Sequence, residues 1–379
     1  MNVQPQPTWK CVHNLKGHLA YVNSIAINSQ GNIIASGSDD KTISLWNLNT
    51  GKHIFTLFGL LKAVFCVTFS PDGEMLISGD FNKTITSWNI STKEMRSLYS
   101  DVSASTSHLG YIFSVAFSPN GQLLASASAD KTIKLWHLSR WVSTRTLRGH
   151  TDVIWSIAIS PDNQILVSGS ADKTIRIWNL NSWEEPRIIT GHSGWVTSVA
   201  ISPNGKIMAS GSVDSTIKLW NLKTGEDGRL GTLQHTLTGH TSAVWSVSFS
   251  PDGQILASAS KDGIKLWNLP KAELLTNLSG RHPIAFSPDG NLLVSGGDGN
   301  SIKIWRQSVI GSESKPKLLL SGEWWEILGV DKLANPEDVK QAYRRLIKKY
   351  HPDINHAPNA KYIMQVINEA YAKFQQKNY

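Results

Sequence analysis

The sequence predicts a mainly β chain, a seven-bladed β-propeller, followed by a small all-α unit built on a helical hairpin. Three observations carry this expectation. Tryptophan is over-used, with 15 copies in 379 residues, and one copy per repeat falls at Trp46, Trp88, Trp136, Trp178, Trp220, Trp267 and Trp305. Between these anchors the chain runs as short β-branched stretches separated by tight-turn signals. Past Trp305 that alternation stops and an apolar pattern of helical period replaces it.

The steps between the anchors are 42, 48, 42, 42, 47 and 38 residues, the length of a four-stranded blade. Residues 149–180 show the common plan: Gly149-His150, then VIWSIAIS, a PDNQ turn, ILVSGS, ADK and TIRIWNL. The first-hairpin turns recur as Pro71-Asp72-Gly73, Pro119-Asn120-Gly121, Pro203-Asn204-Gly205, Pro251-Asp252-Gly253 and Pro288-Asp289-Gly290. Pro presets φ and Asn/Asp-Gly accepts positive φ, so each predicts a tight connection.

On these residues, over about 8–307, the chain resembles the WD-repeat family. The dipeptide at the anchor is mostly Trp-Asn, as at Trp46-Asn47, Trp178-Asn179 and Trp220-Asn221. The family's buried hydrogen-bonded set of His, Ser, Asp and Trp is implied at His18, Ser36, Asp40 and Trp46; at His108, Ser126, Asp130 and Trp136; at His150, Ser168, Asp172 and Trp178; and at His192, Ser210, Asp214 and Trp220. The sixth repeat keeps His240, Ser258, Asp262 and Trp267 but is one residue short in its second turn. Repeat two lacks the His and has Asn82 at the Asp position, and repeat seven has lost residues around Arg281-His282. A hydrolytic triad is the wrong reading of a Ser/His/Asp trio that recurs in five repeats, because catalysis needs one exposed nucleophile and an oxyanion hole. A buried indole N–H needs an acceptor, and that need explains the recurrence.

Ring closure has two candidates. Residues 10–15 and 317–320 both resemble an outermost strand, and the family's habit of closing the last blade with the N-terminal strand favours 10–15. Propellers of this family are mostly interaction platforms. Residues three and five after the repeat His belong on the face where each first strand begins: Tyr21, Tyr111, Phe113, Trp155, Trp195 and Trp245, with Phe65 by analogy. Such aromatics suit a protein-binding hot spot. Lys261, beside the turn Asp262, belongs to the same side.

After Trp305 the polar run RQSVIGSESKPK reads as a linker, placed at 308–320, and residues 321–379 as a separate domain. Asn335-Pro336-Glu337-Asp338 combines an N-cap, a first-turn proline and two acids, so a helix begins there. Its apolar positions Val339, Ala342, Tyr343, Leu346, Ile347 and Tyr350 share their offsets with Ile363, Val366, Ile367, Ala370, Tyr371 and Phe374. Two such helices predict an antiparallel hairpin, capped by Trp324, Trp325, Ile327 and Leu328. The wet face of the first carries Lys340, Arg344 and Lys348 in one stripe and Arg345 with Lys349 beside it.

His351-Pro352-Asp353 follows that helix directly. With WWEILGV before it and NEAY after it, 321–379 resembles the J domain of DnaJ-type co-chaperones. The resemblance implies a partner, a DnaK-type heat-shock ATPase. The basic stripe would dock on an acidic surface of that ATPase, and the HPD loop would promote ATP hydrolysis and client capture. Trp324-Trp325 replaces the usual aromatic pair. The family's short fourth helix, and the zinc-binding and Gly/Phe-rich regions of DnaJ itself, are not found in this sequence, which points to a divergent J protein whose extra domain supplies specificity.

Composition bounds the remainder. Hydrophobic residues make up 40% and charged ones 17%, an ordinary globular balance. Of the formal charge of +8, residues 321–379 hold nine Lys and Arg against seven Asp and Glu, so the rest is spread thinly over the propeller. That is weak support for a nucleic-acid partner. Two cysteines, Cys11 and Cys66, form no CxxC motif, so no disulfide framework or metal site is expected and a reducing cytoplasm fits. The opening MNVQPQPTWK has no apolar leader core, and no apolar run of membrane-spanning length is present. No phosphate loop, HExxH or other cofactor motif occurs, so no enzymatic activity is expected. The leading expectation is a co-chaperone adaptor, and the alternative is a scaffold whose J-like tail activates nothing.

Overall fold

The computed structural model describes residues 8–97, 107–138, 142–182, 184–222, 230–308, 323–332, 334–350 and 360–377. The chain divides into two compact units, one spanning Trp9–Gln307 and the other holding the C-terminal helices. Among the described residues no helix is long and apolar enough to cross a membrane.

The larger unit is a ring of seven four-stranded antiparallel sheets. The fourth blade shows the plan. Ile154–Ile159 pairs with Ile165–Ser170, which pairs with Ile175–Asn179, which pairs with Arg187–Ile189. The first hairpin closes on a residue at positive φ, Asn163 here (φ 61°) and Gly205 in the next blade (φ 69°). A side chain at Gly205 would lie 3.7 Å from Pro161 of blade four, so successive turns touch around the ring.

The second strands are rich in Ala, Ser and Gly because neighbouring blades come close. A Cβ placed on Gly169 would stand 2.7 Å from Val196 Cγ1 of blade five, too near for any larger residue. The core therefore lies between blades rather than within them. Ala125, Ile133, Leu135 and Leu147 of blade three pack with Ile154, Ile157, Leu166 and Trp178 of blade four. Each repeat buries its tryptophan against the blade before it, so no blade can fold alone.

Closure follows the expectation for 10–15. The strand Thr8–Leu15 lies beside Ile302–Ser308, followed by Leu292–Gly296 and Arg281–Phe286. Leu15 joins Ile302 and Ile304 of the last blade to Val22, Ile34 and Trp46 of the first. Trp9 is also buried there, against Phe286, with ring centroids 6.0 Å apart. The competing segment 317–320 lies outside the described residues, as does most of the expected linker. Cys11 and Cys66 are both unpaired, the first exposed and the second buried.

The described residues of the smaller unit form three helices, α1 (Trp324–Leu328), α2 (Pro336–Tyr350) and α3 (Ala360–Lys377). Asn335 caps α2 as its sequence predicts. Its Oδ1 accepts the Asp338 N–H at 2.9 Å, and its Nδ2 donates to Asp338 Oδ2 at 2.7 Å. Trp324, Ile327, Leu328, Val339, Leu346, Val366, Ile367, Ala370 and Phe374 form one apolar core.

Candidate functional site

Five blades carry the complete hydrogen-bonded set. In blade four Trp178 Nε1 donates to Ser168 Oγ at 2.9 Å, Ser168 Oγ lies 2.8 Å from His150 Nε2, and His150 Nδ1 lies 2.7 Å from Asp172 Oδ2. His18, Ser36, Asp40 and Trp46 repeat this in blade one. So do His108, Ser126, Asp130 and Trp136 in blade three, and His192, Ser210, Asp214 and Trp220 in blade five. In blade six the shortened turn leaves these four residues joined: His240 Nδ1 still reaches Asp262 Oδ1 at 2.6 Å, and Trp267 Nε1 still donates to Ser258 at 2.8 Å.

The electrostatics suit a structural role. Burial pushes the imidazoles of His150, His192 and His240 down against the pull of their Asp partners, so they are neutral at pH 7. Burial works against the Asp214 carboxylate, but hydrogen bonds from Thr216 and His192 outweigh it and hold the group at about 2. All five serines are 0% exposed and already bonded, so none is an available nucleophile.

Sequence reasoning missed one member of the set. Thr42, Thr132, Thr174 and Thr216 each donate their hydroxyl to the Asp at 2.6 Å. The signal was present in the sequence, since a Thr stands two residues after each of those Asp residues.

Blades two and seven keep only the inner bond, Trp88 to Ser78 at 3.0 Å and Trp305 to Ser295 at 2.9 Å. Leu60 fills the His position in blade two. There Asp80 is buried in the register held by Ser38 in blade one, and its Oδ1 accepts the Asn82 and Thr84 N–H groups. Burial pushes that carboxyl up.

The second constellation lies where the first strands begin. Residues 23, 65, 113, 155, 197, 245 and 282 occupy equivalent places on the seven first strands, beside the central channel. Phe65 lies 5.0 Å from Phe113, and Phe113 lies 4.4 Å from Trp155. Trp155 stacks on Trp195 at 6.0 Å and meets Trp245 edge-on at 6.1 Å. Trp245 stacks on His282 at 5.8 Å, and His282 lies 5.4 Å from Tyr21. Phe81 continues the chain between Phe65 and Tyr111, at 4.4 and 4.2 Å.

All seven predicted aromatics thus join one network of rings touching every blade. Phe65, Phe113, Trp155 and Tyr21 are half-buried, while Tyr111, Trp195 and Trp245 are exposed. Phe81 and His282 are the members the sequence reading left out. Phe81 precedes a turn position just as Lys261 does, so the same argument would have found it. Lys261 is exposed and lines a cavity with Tyr21 and Trp245.

On the helical unit Lys340, Arg344 and Arg345 are exposed on α2, while Val339, Ala342 and Leu346 are buried on its other side. Tyr343 stacks on Tyr371 at 4.0 Å and donates its hydroxyl to Asn368 Oδ1 at 3.0 Å, locking α2 to α3. Lys348 and Lys349 lie on α2 with side chains outside the described set, and His351, Pro352 and Asp353 lie outside the described residues altogether.

Comparison with known families agrees with this division. The model of the WD domain, G-beta repeat, matches residues 9–47, 51–89, 101–137, 141–179, 183–221, 231–268 and 284–306. The DnaJ domain model matches residues 323–378. The chain is 52% identical over 52 residues to the chaperone protein DnaJ of Crocosphaera subtropica, covering 14% of each chain. It is 55% identical over 49 residues to that of Limosilactobacillus reuteri, covering 13% of each. It is 54% identical over 52 residues to that of Rippkaea orientalis, again 14% of each. The chain therefore spans about one-seventh of the length of these relatives.

Proposed function

This chain belongs to the WD40-repeat family and carries a C-terminal DnaJ domain, and we propose that it is a co-chaperone adaptor. In this reading the propeller mouth binds a protein client or complex, and the J domain recruits a DnaK-type ATPase and stimulates it. The observation that carries the reading is the position of His351-Pro352-Asp353. The tripeptide follows a helix whose exposed face bears Lys340, Arg344 and Arg345, within a stretch that matches the DnaJ domain.

The physics supports each half. Exposed cations speed encounter with an acidic surface and make association sensitive to salt. Lys348 and Lys349 add two further cations to the same stretch of sequence, and Pro352 fixes its own φ and offers no backbone N–H. The J domain makes and breaks no bond itself; it biases the conformation of the ATPase. The aromatic network Tyr21, Phe65, Tyr111, Phe113, Trp155, Trp195 and Trp245 offers large rigid surfaces of the kind that anchor protein interfaces. Joining the two activities in one chain raises the local concentration of ATPase at the client. Neither domain family is catalytic, and the reading assigns the chain no reaction of its own. Two unpaired cysteines fit a reducing compartment such as the cytoplasm.

The test is ATP turnover by a purified DnaK-type chaperone. The full chain should stimulate it, and His351→Gln should return it to the basal rate. Equal stimulation by the two proteins would sink the reading. Affinity capture with both proteins should yield the same client, with the ATPase retained by the wild type alone.

A further inference from the structure

Among the seams whose connecting residues are all described, one is irregular. Six residues separate the outer strand of one blade from the first strand of the next at 16–21, 58–63, 148–153, 190–195 and 238–243. Between blades six and seven only residues 279–280 do so. The second turn of blade six is shortened as well, with Ser260 paired directly to Gly263 around Lys261-Asp262. The two deletions meet at one place. A loop that elsewhere brings a residue such as Tyr21 or Trp195 over the mouth is missing, and a cavity of about 240 Å³ opens instead.

Its walls are Tyr21, Trp245, Ser260, Lys261, Arg281 and His282. Tyr21 Oη lies 2.9 Å from His282 Nε2. Burial, with Arg281 adding repulsion, pushes His282 down to about 4, so this ring is neutral at pH 7. In four other blades the serine equivalent to Ser260 accepts the N–H of the turn Asp. The shorter turn denies Ser260 that bond; its buried hydroxyl makes no hydrogen bond of good geometry, and the nearest acceptor is the Asp262 carboxylate, which it helps to hold low.

The charge is one-sided. Lys261 has no ion-pair partner among the described residues. Arg281 shares a single acid, Asp298, with Lys303, at 3.0 and 3.3 Å. Asp262 and Asp39 keep their charges, bonded to the neutral His240 and to Asn23 Nδ2 at 2.7 Å, but neither they nor Asp298 line the cavity. The cavity walls therefore hold two cations and no acid, beside a neutral His–Tyr pair and an exposed indole, at the end of the aromatic arc.

We infer that this seam pocket is a carboxylate-binding subsite, which seats an acidic group of the protein partner while neighbouring apolar side chains of that partner lie on Trp245 and Trp155. The inference deepens the reading of the mouth as a partner-binding surface and rests on it. An ionised carboxylate would accept charge-assisted bonds from Lys261 and Arg281 and a further bond from the Ser260 hydroxyl. A cationic ligand would meet the same two groups as repulsion.

Fluorescence anisotropy with the full chain tests this. The probes are an N-terminally labelled, C-terminally amidated octapeptide of alternating leucine and glutamate, and its glutamine counterpart. The glutamate peptide should bind at least ten-fold more tightly. Lys261→Ala and Arg281→Ala should each remove most of that difference while leaving the glutamine peptide unchanged. A glutamine peptide with a free C-terminus separates the sources: a gain there assigns the pocket to a chain-terminal carboxylate, and no gain assigns it to a side chain. Equal binding of the glutamate and glutamine peptides overturns the inference, as does tighter binding of a labelled eight-nucleotide single-stranded DNA than of the glutamate peptide. Client capture that survives Lys261→Ala but is lost in Trp155→Ala would reject the subsite while keeping the platform. Capture unaffected by either substitution would reject the platform itself.

Discussion

Trp155 of the fourth blade meets Trp245 of the sixth edge-on, with 6.1 Å between ring centroids and 83° between ring planes. The blade between them offers only Thr197 at the equivalent place, and its hydroxyl is turned onto the carbonyls of Gly211 and Val244. A small residue in blade five thus lets two large ones meet across it. Trp155 also touches Phe113 and Trp195, which makes it the junction of the mouth.

Trp155→Ala should therefore break the aromatic surface at its centre. We expect loss of about 2 kcal/mol or more in partner binding, the scale of a hot-spot residue. Thr197→Trp should disturb the same surface by crowding. Titration of captured partner against each variant checks this, and an unchanged affinity for Trp155→Ala would place the binding surface elsewhere.

The hydrogen-bonded sets predict unequal costs for equal substitutions. Ser168→Ala leaves both Trp178 Nε1 and His150 Nε2 unpaired, whereas Ser78→Ala takes the partner of Trp88 Nε1 and a long 3.5 Å bond to the Thr86 carbonyl, with no imidazole involved. The first should cost about 1–3 kcal/mol of unfolding free energy and the second about half as much. Urea denaturation of the two variants side by side measures the difference. Equal costs would mean the His bond contributes nothing.

Stability should fall on acidification. His150, His192 and His240 are held below their unfolded value, so the unfolded chain binds more protons as pH drops below about 6.5. Their contribution is fully present above that value and is lost as pH falls through the range beneath it. Asp40, Asp130, Asp172, Asp214 and Asp262 are likewise held low, so their share is lost only below about 3.9. Asp80, pushed up by burial, opposes this trend in a single blade. The urea midpoint of the propeller should decline between pH 7.5 and 5 and decline again below pH 4. A flat midpoint over the first interval would contradict buried neutral imidazoles.

Closure by the N-terminal strand predicts a stability effect of its own. Deleting residues 1–15 removes Trp9 and Leu15 from the two clusters that join the last blade to its neighbours and bares the edge at Ile302–Ser308. The truncated chain should melt several degrees lower and aggregate through that open edge. Scanning calorimetry with light scattering would show it, and an unchanged, monomeric melt would argue that the strand is dispensable.

Charge reversal on α2 separates docking from folding. Arg344→Glu with Arg345→Glu alters two exposed groups and leaves the core of Val339, Leu346 and Ile367 intact. Helical circular dichroism should be preserved, while stimulation of the partner ATPase should weaken and lose its dependence on salt. Full stimulation by this variant would remove the basic face from the mechanism.

Much of this molecule could be read locally. A His, a Ser, an Asp and a Trp at fixed offsets carried the resemblance to the WD-repeat family, and that resemblance announced five of the hydrogen-bonded sets, while a period near 42 residues announced the blades. Asn335 before Pro336 announced where α2 starts. These features depend on neighbours in sequence or on a strict repeat, so local chemistry decides them. Only the tertiary structure decided which strand closes the ring, that Trp155 reaches Trp245 past Thr197, that His282 completes the aromatic arc, and that two separate deletions open one pocket at Lys261 and Arg281. Each of these depends on distances between residues far apart in the chain, set by how wedge-shaped blades pack around an axis, and no pattern along one strand encodes such a distance.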